Sequence, residues 1–307
     1  MILLCGIPSE PPLRLVIDAA EQSDTPYVLF NQRETRYTNI HLEIKNGRAE
    51  GAIQIQPMEW SLHTFTGVYA RLMDYQELPE NKPRGRTPAD SGSLEKSAFF
   101  HSALAEWLEI TDCRVMNRNR AMSSNMSKPY QAQFIHRAGF NTPITLITND
   151  YEEVKRFLRR HRQVIYKSVS SIRSIVKTLS DIKLNELNKV RHLPTQFQAF
   201  VPGTNVRVHV VGDKVFATEI VTDAIDYRYA NEESLDIEMV PMNLPSEITA
   251  RCLNLSRMLN LPLCGIDLKR TPANDYYCFE VNPSPAYSYY QENSGQDIAT
   301  GIIEYLR

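Results

Sequence analysis

The residues of this chain best suited to chemistry lie near its carboxy terminus, in GIDLKRTPANDYYCFEVNPSPAYSYYQ, residues 265–291. Asp267 sits in one apolar segment, Glu280 and Asn282 sit in the next, and a turn-rich connection joins them. Side chains two apart on a strand share a face, so Glu280 and Asn282 project together. If the segments pair as a hairpin, Asp267 can join them and three hard oxygen donors share one surface. Such a set suits magnesium holding nucleotide phosphates. The competing reading is a polar hairpin face in solvent. Apolar Cys278, Phe279 and Val281, and the rigid Asn-Pro-Ser-Pro that follows, argue against an ordinary exposed hairpin.

Cationic candidates precede this stretch. In QVIYKSVSSIRSIVK, Lys167 ends an apolar strand and enters a Ser-rich loop. A lysine so placed can reach phosphate while loop amides cradle its oxygens, and the alternative is an exposed strand end. The run VRVHVVGDKVFATEIV predicts a hairpin around Gly212-Asp213, with Arg207 and His209 on one face. Asp226-Tyr227-Arg228 follows in a polar loop. Arg71, at the end of the strand-like TGVYARL, is a weaker substrate-site candidate, because open α/β sheets bind ligands at such ends; a surface arginine is the plainer reading. His101, alone on a helix, reads as structural.

The elements that must carry these groups follow from periodicity. MILLCGI and PYVLFNQ predict strands around a helix at 13–22, the rhythm of an open α/β sheet. Residues 40–55 alternate around Asn46-Gly47, a hairpin signal. Helices are expected at 93–109, 127–138, from the Asn149-Asp150 cap to 160, 246–259 and 296–306, with strands at 114–117, PITLIT and TQFQAFV. Residues 79–93 collect turn formers and mark a lobe boundary.

Bulk properties bound the rest. A chain of 307 residues, 42% hydrophobic and 23% charged, buries a large core in two or three lobes. A net charge of −2 excludes a general nucleic-acid or membrane-surface binder. The five cysteines include no Cys-x-x-Cys pair, so neither a disulfide framework nor a zinc cage is expected, and four of them read as small core hydrophobes. No apolar run reaches eighteen residues and the amino terminus lacks a signal-peptide pattern. The expectation is a cytoplasmic protein with reduced thiols.

In order, the two lysines, the Q-x-F-V segment, the arginine hairpin, D-Y-R and D…E-x-N resemble the ATP-grasp superfamily, most closely carboxylate–amine ligases related to the ribosomal-protein glutamate ligase (RimK-like). The likeness runs from about Cys113 to Arg307. It implies an α/β fold with α+β lobes: a small open-sheet lobe over 1–112, then an ATP-grasp domain over 113–307, with a mobile lid at about 118–190 and a core lobe at 191–307. It further implies that Asp267, Glu280 and Asn282 hold magnesium, with Glu280 bridging two ions and manganese an alternative. Lys128 (in SKPYQAQFI) and Lys167 match the phosphate-contacting lysines. Gln198, Ala199, Phe200 and Val201 fall on the hinge that meets adenine, Asn205 on a ribose contact, and Arg207 and Arg228 near the transferred phosphate and acyl group. Three departures stand out. Ala199 replaces a common Glu, Asn205 replaces an acid, and the loop SVSSIRSI lacks glycines, leaving Ser hydroxyls and Arg173 for phosphate contacts.

The activity so implied is that of an ATP-dependent ligase, which activates a carboxylate as an acylphosphate and joins it to an amine, releasing ADP and phosphate. Lys128, Arg207 and Arg228 would offset the charge of the transition state. The partners are ATP, a carboxylate and an amine acceptor, small molecule or peptide tail. A maturase closing side-chain ester or amide rings in a ribosomal precursor peptide is the alternative within the class, and a non-catalytic nucleotide-binding regulator the alternative outside it. Tyr287, Tyr289 and Tyr290 either wall the acceptor site or pack against the last helix. A homodimer is common in such enzymes, and no sequence feature decides it.

Overall fold

The computed structural model describes residues 1–82, 91–161, 163–168, 177–178, 187–222 and 236–307. Its chain begins with the βαβ rhythm read above: β1 (Ile2–Gly6), α1 (Pro11–Gln22) and β2 (Tyr27–Asn31). An antiparallel excursion, β3 (Thr38–Lys45), β4 (Arg48–Ile55) and β5 (Met58–Ser61), turns at Asn46-Gly47, both at positive φ as a two-residue hairpin loop requires. Then come β6 (Gly67–Arg71), α2 (Ser91–Ile110) and β7 (Arg114–Met116). The strands β2-β1-β6-β7 form one parallel sheet. Parallel strands are covered on both faces, which is why ILLCG and GVYAR read as near-continuous apolar runs.

Next are α3 (Asn119–Met122), α4 (Lys128–Arg137), β8 (Thr145–Thr148), α5 (Tyr151–Arg160), β9 (Val164–Ser168), β10 (Lys177–Thr178) and β11 (Thr195–Ala199). Ser127 caps α4 by accepting from the Tyr130 N–H, and Asp150 caps α5 by accepting from Glu152. The antiparallel sheet β10-β9-β11-β8 packs Val164 and Phe197 on Val154 of α5.

The remaining elements are β12 (Thr204–Val211), β13 (Lys214–Val221), β14 (Glu238–Met242), α6 (Ser246–Met258), β15 (Leu263–Arg270), β16 (Tyr276–Asn282), α7 (Ser288–Ser294) and α8 (Ile298–Leu306). Strands β14-β13-β12-β15-β16 form an antiparallel sheet whose inner face, with Val206, Val208, Val210, Ile266, Leu268 and Val281, packs on α4 and α6. Helix α8 lies between this sheet and the parallel one, where Ile302, Ile303 and Leu306 meet Leu4, Leu13, Val16 and Tyr69. Periodicity missed β14 because Pro241 interrupts it; as an edge strand, β14 tolerates the missing donor.

Four of the five cysteines (Cys5, Cys252, Cys264, Cys278) are buried, as expected, and Cys113 is half-buried. Among the described residues no helix is long and apolar enough to cross a membrane.

Candidate functional site

Directly opposed residues on antiparallel strands share a face. One rung of the large sheet aligns Thr218, Arg207, Asp267 and Glu280; the next aligns Phe216, His209, Gly265 and Asn282. The hairpin postulated for Asp267, Glu280 and Asn282 is therefore formed, with Asp267 facing Glu280 across the strand pair. A bulge makes this possible. Pairing passes from Asp267–Glu280 to Leu268–Cys278 and leaves Phe279 without a partner, so Cys278 joins the core face while Glu280 faces outward. Strict alternation would have put Cys278 and Glu280 on one side.

Each acid meets a cation. Arg207 Nη1 donates to Asp267 Oδ1 at 2.6 Å, and the arginine side chain is only 6% exposed. Lys128, at the first position of α4, brings Nζ to 3.7 Å from Glu280 Oε2. Two charge pairs of this kind in a partly buried setting interact more strongly than they would in water. Arg207 Nε also donates to His209 Nε2 at 3.3 Å. Accepting that bond requires a deprotonated nitrogen, and burial followed by the nearby guanidinium holds the His209 pKa well below its ordinary value. Tyr290 closes the group from α7, its ring centroid 5.4 Å from Arg207 Cζ and 4.9 Å from the His209 ring.

Gly265 provides the space for this arginine. A Cβ there would stand 2.5 Å from Arg207 Cζ and 2.9 Å from Nε. The requirement is for a close approach across strands, which periodicity does not reveal.

Polar side chains from outside the strand fix the segment around Asn282. Gln131 forms a bidentate pair with Val281, donating to its carbonyl at 2.7 Å and accepting from its N–H at 2.8 Å. Asn117 donates at 2.6 Å to both Leu263 O and Pro283 O and accepts from the Leu263 N–H. Asn282 Oδ1 accepts from the Ser284 N–H at 2.9 Å. Sequence reasoning missed Gln131 and Asn117; the only signal was that Gln131 lies three residues after Lys128, on the same helix face.

Arg71 is corrected on both counts. It is neither a surface arginine nor an open ligand-binding group, but a 10% exposed side chain paired with Glu10 and donating to Ser284 and Pro285. His101 packs at a tilt against Tyr75, ring centroids 5.7 Å apart, and burial lowers its pKa, in keeping with a structural role. Of the tyrosines, Tyr287 donates to Pro12 O inside the core shared with α1 and α8, Tyr290 packs in the site, and Tyr289 is exposed.

Gln198, Ala199, Phe200 and Val201, expected at a hinge, sit where β11 passes into β12. Gln198 Nε2 donates to Thr145 Oγ1 at 3.0 Å and the Ala199 N–H bonds Ile144 O. The Phe200 N–H bonds Gln163 O, the Phe200 ring lies 5.3 Å from Lys269 Nζ, and Val201 is buried. Asn205 precedes Arg207 by two on the same face of β12, opposite Lys269. Lys167 falls on β9 opposite Gln196. Arg228, Arg173 and the Ser-rich loop from 169 lie outside the described residues.

Among the described residues no three His, Cys, Asp or Glu side chains cluster as a metal site. The donor set fits magnesium in another way: two opposed carboxylates and a carboxamide, all hard oxygen donors, stand on one outward face beside two cations.

Comparison with known proteins places this arrangement. The model of the RimK-like ATP-grasp domain matches residues 126–306, more than half of the chain. A "Probable alpha-L-glutamate ligase" of Vibrio vulnificus (strain YJ016) is 22% identical, covering 91% of this chain and 94% of that one. Two solved structures superpose over nearly all of it at a TM-score of 0.78. One is a Chryseobacterium gregarium RiPP-associated ATP-grasp ligase in complex with ADP and a leader and core peptide, 20% identical, covering 99% of this chain and 96% of that one. The other is the macrocyclase MdnC bound with precursor peptide MdnA from Microcystis aeruginosa MRC, 21% identical, covering 100% and 99%. The fold is thus that of ATP-grasp ligases, and the chain belongs to the RimK-like ATP-grasp family.

Proposed function

We propose that this protein is an ATP-dependent carboxylate–amine ligase whose reaction centre is the outward face of the five-stranded sheet. The observation that carries the reading is the rung Arg207–Asp267–Glu280 with Lys128 at its end: two carboxylates and two cations set against each other on rigid elements. Asp267, Glu280 and Asn282 would hold magnesium, with Glu280 a donor to both of two ions, and the metal would supply neutralisation of phosphate charge. Lys128 and Arg207 add positive charge beside the anionic phosphoryl group.

In the first step a substrate carboxylate oxygen bonds to the γ-phosphorus of ATP, the bond to the bridging oxygen breaks, and ADP leaves. In the second step an amine nitrogen bonds to the acyl carbon of the acylphosphate, phosphate leaves with the bonding pair, and the nitrogen loses a proton. Arg207, with Arg228, stabilises the charge on the transferring group. Lys167, on the strand opposite Gln196, contacts the nucleotide phosphates. Gln198 to Val201 and Asn205 line the adenosine site. The sheet β8–β11 with α5 is the lid that excludes water from the acylphosphate. The division at about residue 112 into a preceding lobe and the ATP-grasp domain belongs to the same reading.

Replacing Glu280 by Gln tests the assignment: ATP turnover should be lost with the fold intact, and near-normal ADP release from E280Q would refute it. For the substrate, the likeness to peptide-bound ligases over the whole chain supports, as the second reading beside glutamate ligation, a maturase whose precursor peptide supplies both the carboxylate and the side chain that attacks it. Mass spectrometry separates them, because ring closure subtracts one water from a peptide whereas ligation adds a glutamyl residue.

A further inference from the structure

The segment Val281–Pro285 carries Asn282 and is gripped from three separate elements: by Gln131 of α4 at Val281, by Asn117 after β7 at Pro283, and by Arg71 of β6 at Ser284 and Pro285. Gln131 belongs to α4, which packs on the large sheet. Asn117, which follows β7, and Arg71, which ends β6, both reach across from the amino-terminal parallel sheet; of the two, Arg71 is the one that also engages Ser284. It sits at the carboxy end of β6, opposite Gly6 of β1, where the connections from β1 and β6 diverge.

The guanidinium of Arg71 is fully committed. Nε donates to Glu10 Oε1 and Oε2 at 2.9 and 3.0 Å, and Nη2 to Oε1 at 2.6 Å. Nη1 is thereby directed away from Glu10, to Ser284 Oγ at 3.1 Å and Pro285 O at 3.2 Å. A planar fork held on one edge by a carboxylate presents its remaining donor in a fixed direction, which a lysine cannot do. From Ser284 the connection to the site is a single bond, because the Ser284 N–H donates to Asn282 Oδ1. The order is then Glu10, Arg71, Ser284, Asn282: four residues that link the start of α1 to one of the expected metal donors.

Resting on the metal assignment above, we propose that Arg71, aligned by Glu10, is a positioning residue for the Asn282 carboxamide, so that the amino-terminal lobe sets the metal affinity of the ligase centre. Arg71 reaches Asn282 by way of Ser284. It acts by holding Ser284, whose amide fixes the rotamer of Asn282. Partners that orient metal ligands from behind commonly contribute about 10–100-fold to metal affinity.

The test is Mn2+ binding to the full-length protein with ADP present, followed by electron paramagnetic resonance of free Mn2+, beside the thermal unfolding midpoint without metal. Arg71→Lys and Glu10→Gln should each weaken Mn2+ by about 10-fold or more, measured below the unfolding midpoint of each variant. Ser284→Ala, which leaves the Arg71–Glu10 pair in place, should weaken Mn2+ in the same direction by a smaller factor and serves if the Arg71 variant fails to fold. Glu280→Gln is the reference. If it loses Mn2+ while the Arg71, Glu10 and Ser284 variants bind like the parent, the positioning role is overturned and the metal site stands. If Glu280→Gln binds Mn2+ like the parent, the metal assignment itself falls, and the proposal with it.

Discussion

Gly265→Ala tests the packing of the reaction centre more sharply than removal of any charged group. A Cβ at this position would lie 2.5 Å from Arg207 Cζ, against the ~3.5 Å at which heavy atoms rest. The guanidinium must retreat by about 1 Å. It cannot do so freely, because Asp267, His209 and Tyr290 bracket it. Overpacking of this kind costs about 1–3 kcal/mol. Loosening a charge-assisted bond such as Arg207–Asp267 costs about 1.5–3 kcal/mol when complete. Because displacement trades one cost against the other, the expected loss of folding stability is about 2–4 kcal/mol. Displacing Arg207 should also slow ADP formation by on the order of 100-fold. The assay is a double-mutant cycle in urea with Gly265→Ala, Arg207→Ala and the pair. Once Arg207 is truncated, the three atoms nearest the new methyl group are gone, so Gly265→Ala should add little to Arg207→Ala. Additivity of the two changes within about 0.5 kcal/mol would refute the reasoning, as would a Gly265→Ala protein of parental stability.

Other outcomes follow from the same contacts. Gln131→Ala strands the buried amide and carbonyl of Val281 on edge strand β16 and should cost about 2–4 kcal/mol in urea unfolding, whereas exposed Gln133 should tolerate alanine within about 0.5 kcal/mol. The folded chain keeps His209 neutral, while the unfolded chain gains a proton on it as pH falls below 6.5. Its contribution to stability is therefore intact above that pH and declines below it, by on the order of 1 kcal/mol per pH unit; a His209→Gln protein should show a flatter decline between pH 7 and pH 5. Burial pushes the Cys264 thiol up to about 12 and raises those of Cys5, Cys252 and Cys278 as well. With a neutral-pH thiol reagent, half-buried Cys113 should react first and the other four only as the protein unfolds; rapid modification of two or more thiols would contradict the packing.

The charge arrangement also explains how the two acids can sit together. Asp267 and Glu280 face each other across adjacent strands, where like charges repel. Arg207 and Lys128 offset that repulsion at 2.6 and 3.7 Å. The resulting arrangement of acids and cations is preassembled on rigid elements.

The sequence alone determined the elements and the identity of the acids. Period-two and helical patterns with clear caps located β1, β2, β6, the β3–β4 and β12–β13 turns, α4 and α5, because each of those signals is local. The hairpin that unites Asp267, Glu280 and Asn282 was legible for the same reason. What tertiary structure decided is non-local. Alternation places Cys278 and Glu280 on one face, and only the bulge at Phe279 separates them. The needs for a glycine at 265, for Gln131 at Val281, for Asn117 at Pro283 and for Arg71 at Ser284 arise between segments up to 213 residues apart. Such partners are chosen by distance in space and by the requirement that buried polar groups be satisfied, neither of which leaves a period in the sequence.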